Sequence, residues 1–143
     1  MMQGRLAQVG QAEGINFKFG GRTGNTRDSH RLIQLGKTKG EAMQTRVVEE
    51  LFAAYFENEG DITSHDTLTM AAVKAGLGEA EVKAWLESGQ GGPEVDQEVK
   101  EAQRAFISGV PNFTIQGKYQ IGGAEDPLEF VDIFEAIKKS EGS

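Results

Sequence analysis

The apolar residues of this chain recur at helical spacing, change to strict alternation near residue 112, and return to helical spacing after residue 127, and that switch of period restricts the fold more than any other feature. Met43, Val47, Leu51, Ala54 and Tyr55 make one stripe over Glu41 to Glu57, widened by Phe52 and Phe56, which are expected to be core, as is Trp85. Ser64 is placed to cap a helix bearing Leu68, Ala71, Ala72 and Ala75, with Gly76 at its end. Glu79 to Ser88 carries Val82, Trp85 and Leu86. Pro93 suits a first helical position, and Val95, Val99, Ala102 and Phe106 follow on one face. Then Phe113 and Ile115 alternate with Asn112 and Thr114, Gln116-Gly117-Lys118 turns the chain, and Tyr119 and Ile121 alternate in return: a β-hairpin. Asp126-Pro127-Leu128-Glu129 reads as a capping box for a last helix with Phe130, Val131, Phe134 and Ile137 inward. Upstream, Met2 to Ala12 suits a short helix with Leu6 and Val9 on its apolar side, stopped by Gly14. Ile15, Phe17 and Phe19 alternate as a short strand. Asn25-Thr26 offers a side-chain cap for a helix with Leu32, Ile33 and Leu35, ending at Gly36 or Gly40. The expected fold class is α+β, mostly helical.

The 143 residues suit one ordinary domain, and 38% hydrophobic residues suffice for a packed core. Twenty-two acids against 15 bases leave a formal charge of -7, which argues against a nucleic-acid or anionic-membrane partner. No apolar run approaches the roughly 18 residues of a membrane span, and no secretory leader is visible, so a cytoplasmic location is expected. Cysteine is absent, which removes disulfides, thiolate metal sites and cysteine nucleophiles. His30 and His65 are the only histidines, too few for a zinc site, so no metal is expected. Glu49-Glu50 and the acids of Glu94 to Glu101 read as solvated helix faces rather than a hydrolase pair. Gly20 to Asn25 lacks the Gly-Lys-Ser/Thr ending of a phosphate loop.

Val110-Pro111 stands just before the first strand of the hairpin, where a proline has no ladder bond to donate. The order helix, Gly-Val-Pro, strand, turn, strand, Gly-Gly, helix is similar to the closing half of a thioredoxin-like fold. Asn25-Thr26-Arg27-Asp28-Ser29-His30-Arg31-Leu32 resembles the Asn-Thr-x-x-Ala-His-Arg-Leu stretch of DsbA-like proteins of the FrnE type. Leu51 to Phe56, Gly60-Asp61-Ile62, Ala75-Gly76-Leu77, Gly109-Val110-Pro111-x-Phe113, Gly117-Lys118-Tyr119 and Gly123-Ala124 resemble the same family in the same order. The 2-hydroxychromene-2-carboxylate isomerases and kappa-class glutathione transferases are its relatives.

The resemblance implies a helical insertion region over 1–92 and a closing thioredoxin half over 93–139, one truncated domain starting after the family's strand, Cys-x-x-Cys helix and second strand. It implies a cis bond before Pro111 and a substrate cleft to which Val110, Pro111, Asn25 and His30 contribute. On the residues alone, Asn25 also reads as a helix cap and His30 as a surface residue. Disulfide exchange needs a thiolate, so no catalytic residue and no autonomous redox activity are expected. Two other readings stay open: a non-catalytic module binding a peptide or thiol, and an isomerase or transferase using glutathione, the one cofactor the resemblance suggests. A shortened fold leaves the edge at Phe113, Thr114 and Ile115 unpaired, so a homodimer is expected through that edge or through the Ile15–Phe19 strand, unless another protein lends a strand.

Overall fold

The computed structural model describes residues 2–21, 24–105, 107 and 111–141. The chain forms two compact units, Met1–Glu98 and Val99–Ser143.

The first unit is helical: α1 (Met2–Ala12), α2 (Arg27–Thr38), α3 (Glu41–Phe52), α4 (His65–Ala75), α5 (Glu79–Ser88) and the start of α6 (Gly92–Arg104). Helix α2 packs on α3, α4 and α5, while α4 bridges α3 and α5. Their shared interior holds Leu32 and Leu35 of α2, Val47 and Leu51 of α3, Leu68 and Ala72 of α4, and Val82 and Leu86 of α5. Gly36 lies inside α2 rather than at its end. A Cβ there would stand 3.1 Å from the Gln44 Cα and 3.2 Å from a Val47 methyl, so this glycine lets α2 and α3 approach closely. The helix stops at Thr38, and Gly40, at φ 112°, starts α3.

Two helix ends follow the glycine signal. Gly14 and Gly76 are left-handed, and Ile15 and Leu77 donate back to the Gly10 and Ala72 carbonyls at 2.7 and 3.0 Å, the pattern of a Schellman cap. At the starts, the expected hydroxyl caps are missing: neither Thr26 nor Ser64 makes a side-chain cap bond. Asn25 does the work for α2, its Oδ1 accepting the Arg27 N–H at 2.8 Å. Ile15–Phe19 forms no strand among the described residues. It runs as irregular chain; beyond the Ile15 bond to the Gly10 carbonyl, its Lys18 N–H donates to the Phe56 carbonyl at 2.7 Å. Phe17 is held against Gly10, where a Cβ would meet its ring at 2.4 Å. A strand whose neighbour is a helix terminus has no ladder to join.

Helix α3 continues into one π turn, Ala53–Glu57, closed by the Asn58 N–H on the Ala53 carbonyl at 3.1 Å. Phe52, expected in the core, is 58% exposed, and Phe56 also faces outward. Val47 and Leu51 occupy the inner stripe, and Phe52 lies one position, about 100°, around the helix from it.

In the second unit β1 (Asn112–Ile115) pairs antiparallel with β2 (Tyr119–Gly122), Phe113 opposite Ile121 and Ile115 opposite Tyr119. Gln116 and Gly117, at φ 52° and 69°, make the turn. Helix α7 (Pro127–Glu141) begins with Asp126 Oδ1 accepting the Leu128 N–H at 2.9 Å. Ile121 and Ile137 are buried, and the Phe113 and Phe130 rings meet edge to face at 5.0 Å. Val131 and Phe134 are exposed, contrary to the sequence expectation, as is Val99 on α6. Two four-residue strands, about 13 Å long, cannot cover a 15-residue helix of about 22 Å. Among the described residues no helix is long and apolar enough to cross a membrane.

Candidate functional site

A cleft of about 340 Å³ opens in the first unit between the start of α2, the α3–π-turn segment and Ile62. Thr26, Ser29 and His30 supply its polar side; Ile33, Leu51, Tyr55 and Phe56 supply much of its apolar wall. The start of α2 explains the polar side. The Asn25 amide oxygen turns the chain into the helix, and the Thr26 carbonyl then accepts from three donors: the Ser29 hydroxyl at 2.7 Å, the His30 N–H at 3.0 Å and the His30 Nδ1 at 2.8 Å.

That last contact sets the imidazole chemistry. A carbonyl only accepts, so Nδ1 carries the hydrogen and Nε2 of the neutral ring holds the lone pair. His30 is therefore equipped to accept a hydrogen bond at the edge of an apolar cleft. Ser29 already donates its hydroxyl to a carbonyl, so the neighbouring pair is not a nucleophile and its base. The cleft can hold an apolar group and offer it one nitrogen acceptor.

Behind this wall lies a charged network. Arg31, 4% exposed, donates from Nε to the Gln90 carbonyl at 2.9 Å, and from its two terminal nitrogens to Asp28 at 2.8 Å, Trp85 O at 2.7 Å and Leu86 O at 3.2 Å. Trp85 returns its indole N–H to the Arg31 carbonyl at 2.9 Å. The other Asp28 oxygen lies 3.0 Å from His65 Nε2. Burial pushes the Asp28 carboxyl upward, but hydrogen bonds and charge from Arg31 and His65 prevail and hold it below the ordinary carboxylate range. Asp28 and Arg31 thus brace the first turn of α2, which carries Ser29 and His30. Among the described residues no three His, Asp or Glu side chains gather as metal ligands.

Of the residues singled out in the sequence, His30 lines the cleft and Asn25 builds the turn beneath it. Pro111 belongs to the second unit, where its carbonyl accepts the Gly123 N–H at 2.7 Å and extends the hairpin pairing by one step. Val110, and with it the peptide bond before Pro111, lies outside the described residues. Phe113 and Thr114 are exposed on β1, Ile115 half-buried. Sequence reasoning missed Tyr55 and Ile62 as lining residues. The signal was the run Phe52-Ala53-Ala54-Tyr55-Phe56, whose aromatics are too many for one helical face.

A mostly helical α+β chain closing on a hairpin and helix defines a thioredoxin-like protein with a helical insertion. The family model for the DSBA-like thioredoxin domain matches residues 1–135, and the chain belongs to that family. The crystal structure of a probable DsbA oxidoreductase from Streptomyces coelicolor superimposes with a TM-score of 0.84 at 27% identity, over 98% of this chain. The chain spans 59% of the length of that protein. No curated protein matches it.

Proposed function

We propose that this chain is of the FrnE type and forms the cleft side of a thiol–disulfide oxidoreductase, holding an apolar peptide segment against α2, while the exchanging dithiol lies outside these 143 residues. The observation that carries this is the cleft itself: an apolar wall of Ile33, Leu51, Tyr55 and Phe56 with the His30 imidazole at its rim, in a sequence without cysteine. Exchange proceeds by thiolate attack on a disulfide sulfur, and this chain has no thiol to ionise. Its contribution is then to hold substrate and to accept a hydrogen bond at His30 Nε2. Glutathione, with two carboxylates to pair, fits this lining less well than an apolar peptide does. We infer further that two copies pair through the outer edge of β1.

The test has two parts. In an insulin-reduction assay with excess dithiothreitol the chain gives the uncatalysed rate; turnover above it overturns the proposal. In an NMR titration with an unfolded apolar peptide, amides of Thr26, His30 and Tyr55 shift together, and His30→Ala weakens binding about threefold to tenfold, the worth of one hydrogen bond. Shifts confined to other surfaces overturn the assignment of the cleft.

A further inference from the structure

The aromatic ridge that walls this cleft has a second side. There, between α1, the irregular 15–19 segment and the π turn, lies another cleft of about 490 Å³, lined by Phe17, Phe19, Phe52 and Phe56 together with Glu49 and Glu57. Phe17 meets Phe56 edge to face at 5.8 Å, Phe52 meets Phe56 likewise at 5.8 Å, and Phe17 stacks with Phe19 at 6.0 Å. Glu57 is fixed at the lining by accepting the Asn16 N–H at 3.1 Å, which leaves its charge and further acceptor capacity in place. Among the described residues no Lys or Arg lines this cleft. Phe52 is 58% exposed and Phe19 41%, and Phe56 is exposed as well, so ring surface is accessible at this cleft.

From this combination we propose that the second cleft is a binding site for an alkylated ammonium group. Ring faces attract a cation through their quadrupole, most strongly where the cation is poorly hydrated, as a methylated ammonium is. Two carboxylates without a competing base supply the counter-charge, and the net charge of -7 adds long-range attraction for a cation. A neutral apolar group would be held by the rings but would offer the two carboxylates no charge to pair with. The site is on the opposite side of the ridge from His30, and its occupancy does not depend on the peptide-holding role of the first cleft.

The probe is choline, titrated into the protein by NMR beside 3,3-dimethylbutan-1-ol, which has the same shape without the charge. Choline is expected to saturate with a Kd on the order of 1–10 mM, shifting the ring protons of Phe17, Phe52 and Phe56, and the alcohol to bind at least about fivefold more weakly. Phe52→Ala, at an exposed position that leaves the fold intact by circular dichroism, is expected to weaken choline about fivefold or more, and Glu49→Gln about twofold to fivefold. Equal binding of the two probes overturns the proposal, since the cleft is then merely apolar. So does the absence of saturable binding up to about 50 mM choline, or saturable binding that Phe52→Ala leaves unchanged.

Discussion

Arg31 has almost no surface of its own in water, so each of its N–H groups needs an acceptor within the protein, and the Trp85 and Leu86 carbonyls of α5, the Gln90 carbonyl beyond it and the Asp28 carboxylate provide them. A planar fork can reach Trp85, Leu86, Gln90 and Asp28 at once; a lysine ammonium cannot. Arg31→Lys is expected to cost about 2–4 kcal/mol, read from urea unfolding, because at least two buried carbonyls lose their donor. Asp28 allows a sharper test. Folding lowers its pKa, so the native chain binds that proton less readily than the unfolded chain does. Its stabilisation is fully present above the ordinary carboxylate pKa of about 4 and disappears as pH falls through the lower native value. Asp28→Asn should therefore lose about 1–3 kcal/mol at pH 7 and lose correspondingly less on acidification to about pH 2.5. Urea titrations at the two pH values check this; an unchanged acid slope would show that other carboxylates set it.

The hairpin turn carries its own strain. Gln116 adopts φ 52° and Gly117 φ 69°, a pairing that suits Asn-Gly better than Gln-Gly, since a long side chain is disfavoured in the left-handed region. Gln116→Asn is expected to stabilise the second unit by about 0.3–1 kcal/mol despite losing the exposed amide contact to Glu141, and Gly117→Val to destabilise it by about 1–2 kcal/mol. Amide exchange at Phe113 and Ile121, whose N–H groups face across the ladder, reads both changes, and opposite signs from these would mean that the turn is not limiting. The turn, the hairpin and the Gly76 helix stop were legible in the sequence because each rests on a local signal, alternation or a left-handed glycine. What was hidden depends on packing partners. Nothing local distinguishes Gly36 as a close-contact glycine inside α2 from a helix stop. Ile15–Phe19 alternates like a strand, yet its neighbours are the end of α1 and a π turn, which offer no ladder. The widened turn moves Tyr55 to the His30 cleft while Phe52 and Phe56 form the ridge, and so both clefts depend on a π turn that helical spacing does not reveal.

At the scale of the whole molecule, a sheet of two strands leaves the outer backbone groups of β1 without ladder partners among the described residues, with Phe113 40% exposed beside them. In the proposed dimer a second copy of the same edge, related by a two-fold axis, would satisfy those groups and lay one Phe113 ring near the other. Four residues a side make a small interface, well below the area of a standard specific complex, so the proposed pairing is expected to be weak, with a Kd on the order of 0.1–1 mM. Each copy brings a charge of -7, so screening should strengthen the dimer. Sedimentation across about 10 µM to 1 mM is expected to show a monomer–dimer equilibrium that shifts toward dimer between about 0.05 and 0.5 M salt. Phe113→Lys places a charge in the middle of the edge and should abolish it. Monomer alone at the top of that range would sink the pairing, and a Phe113→Lys protein that still dimerises would move the interface away from β1.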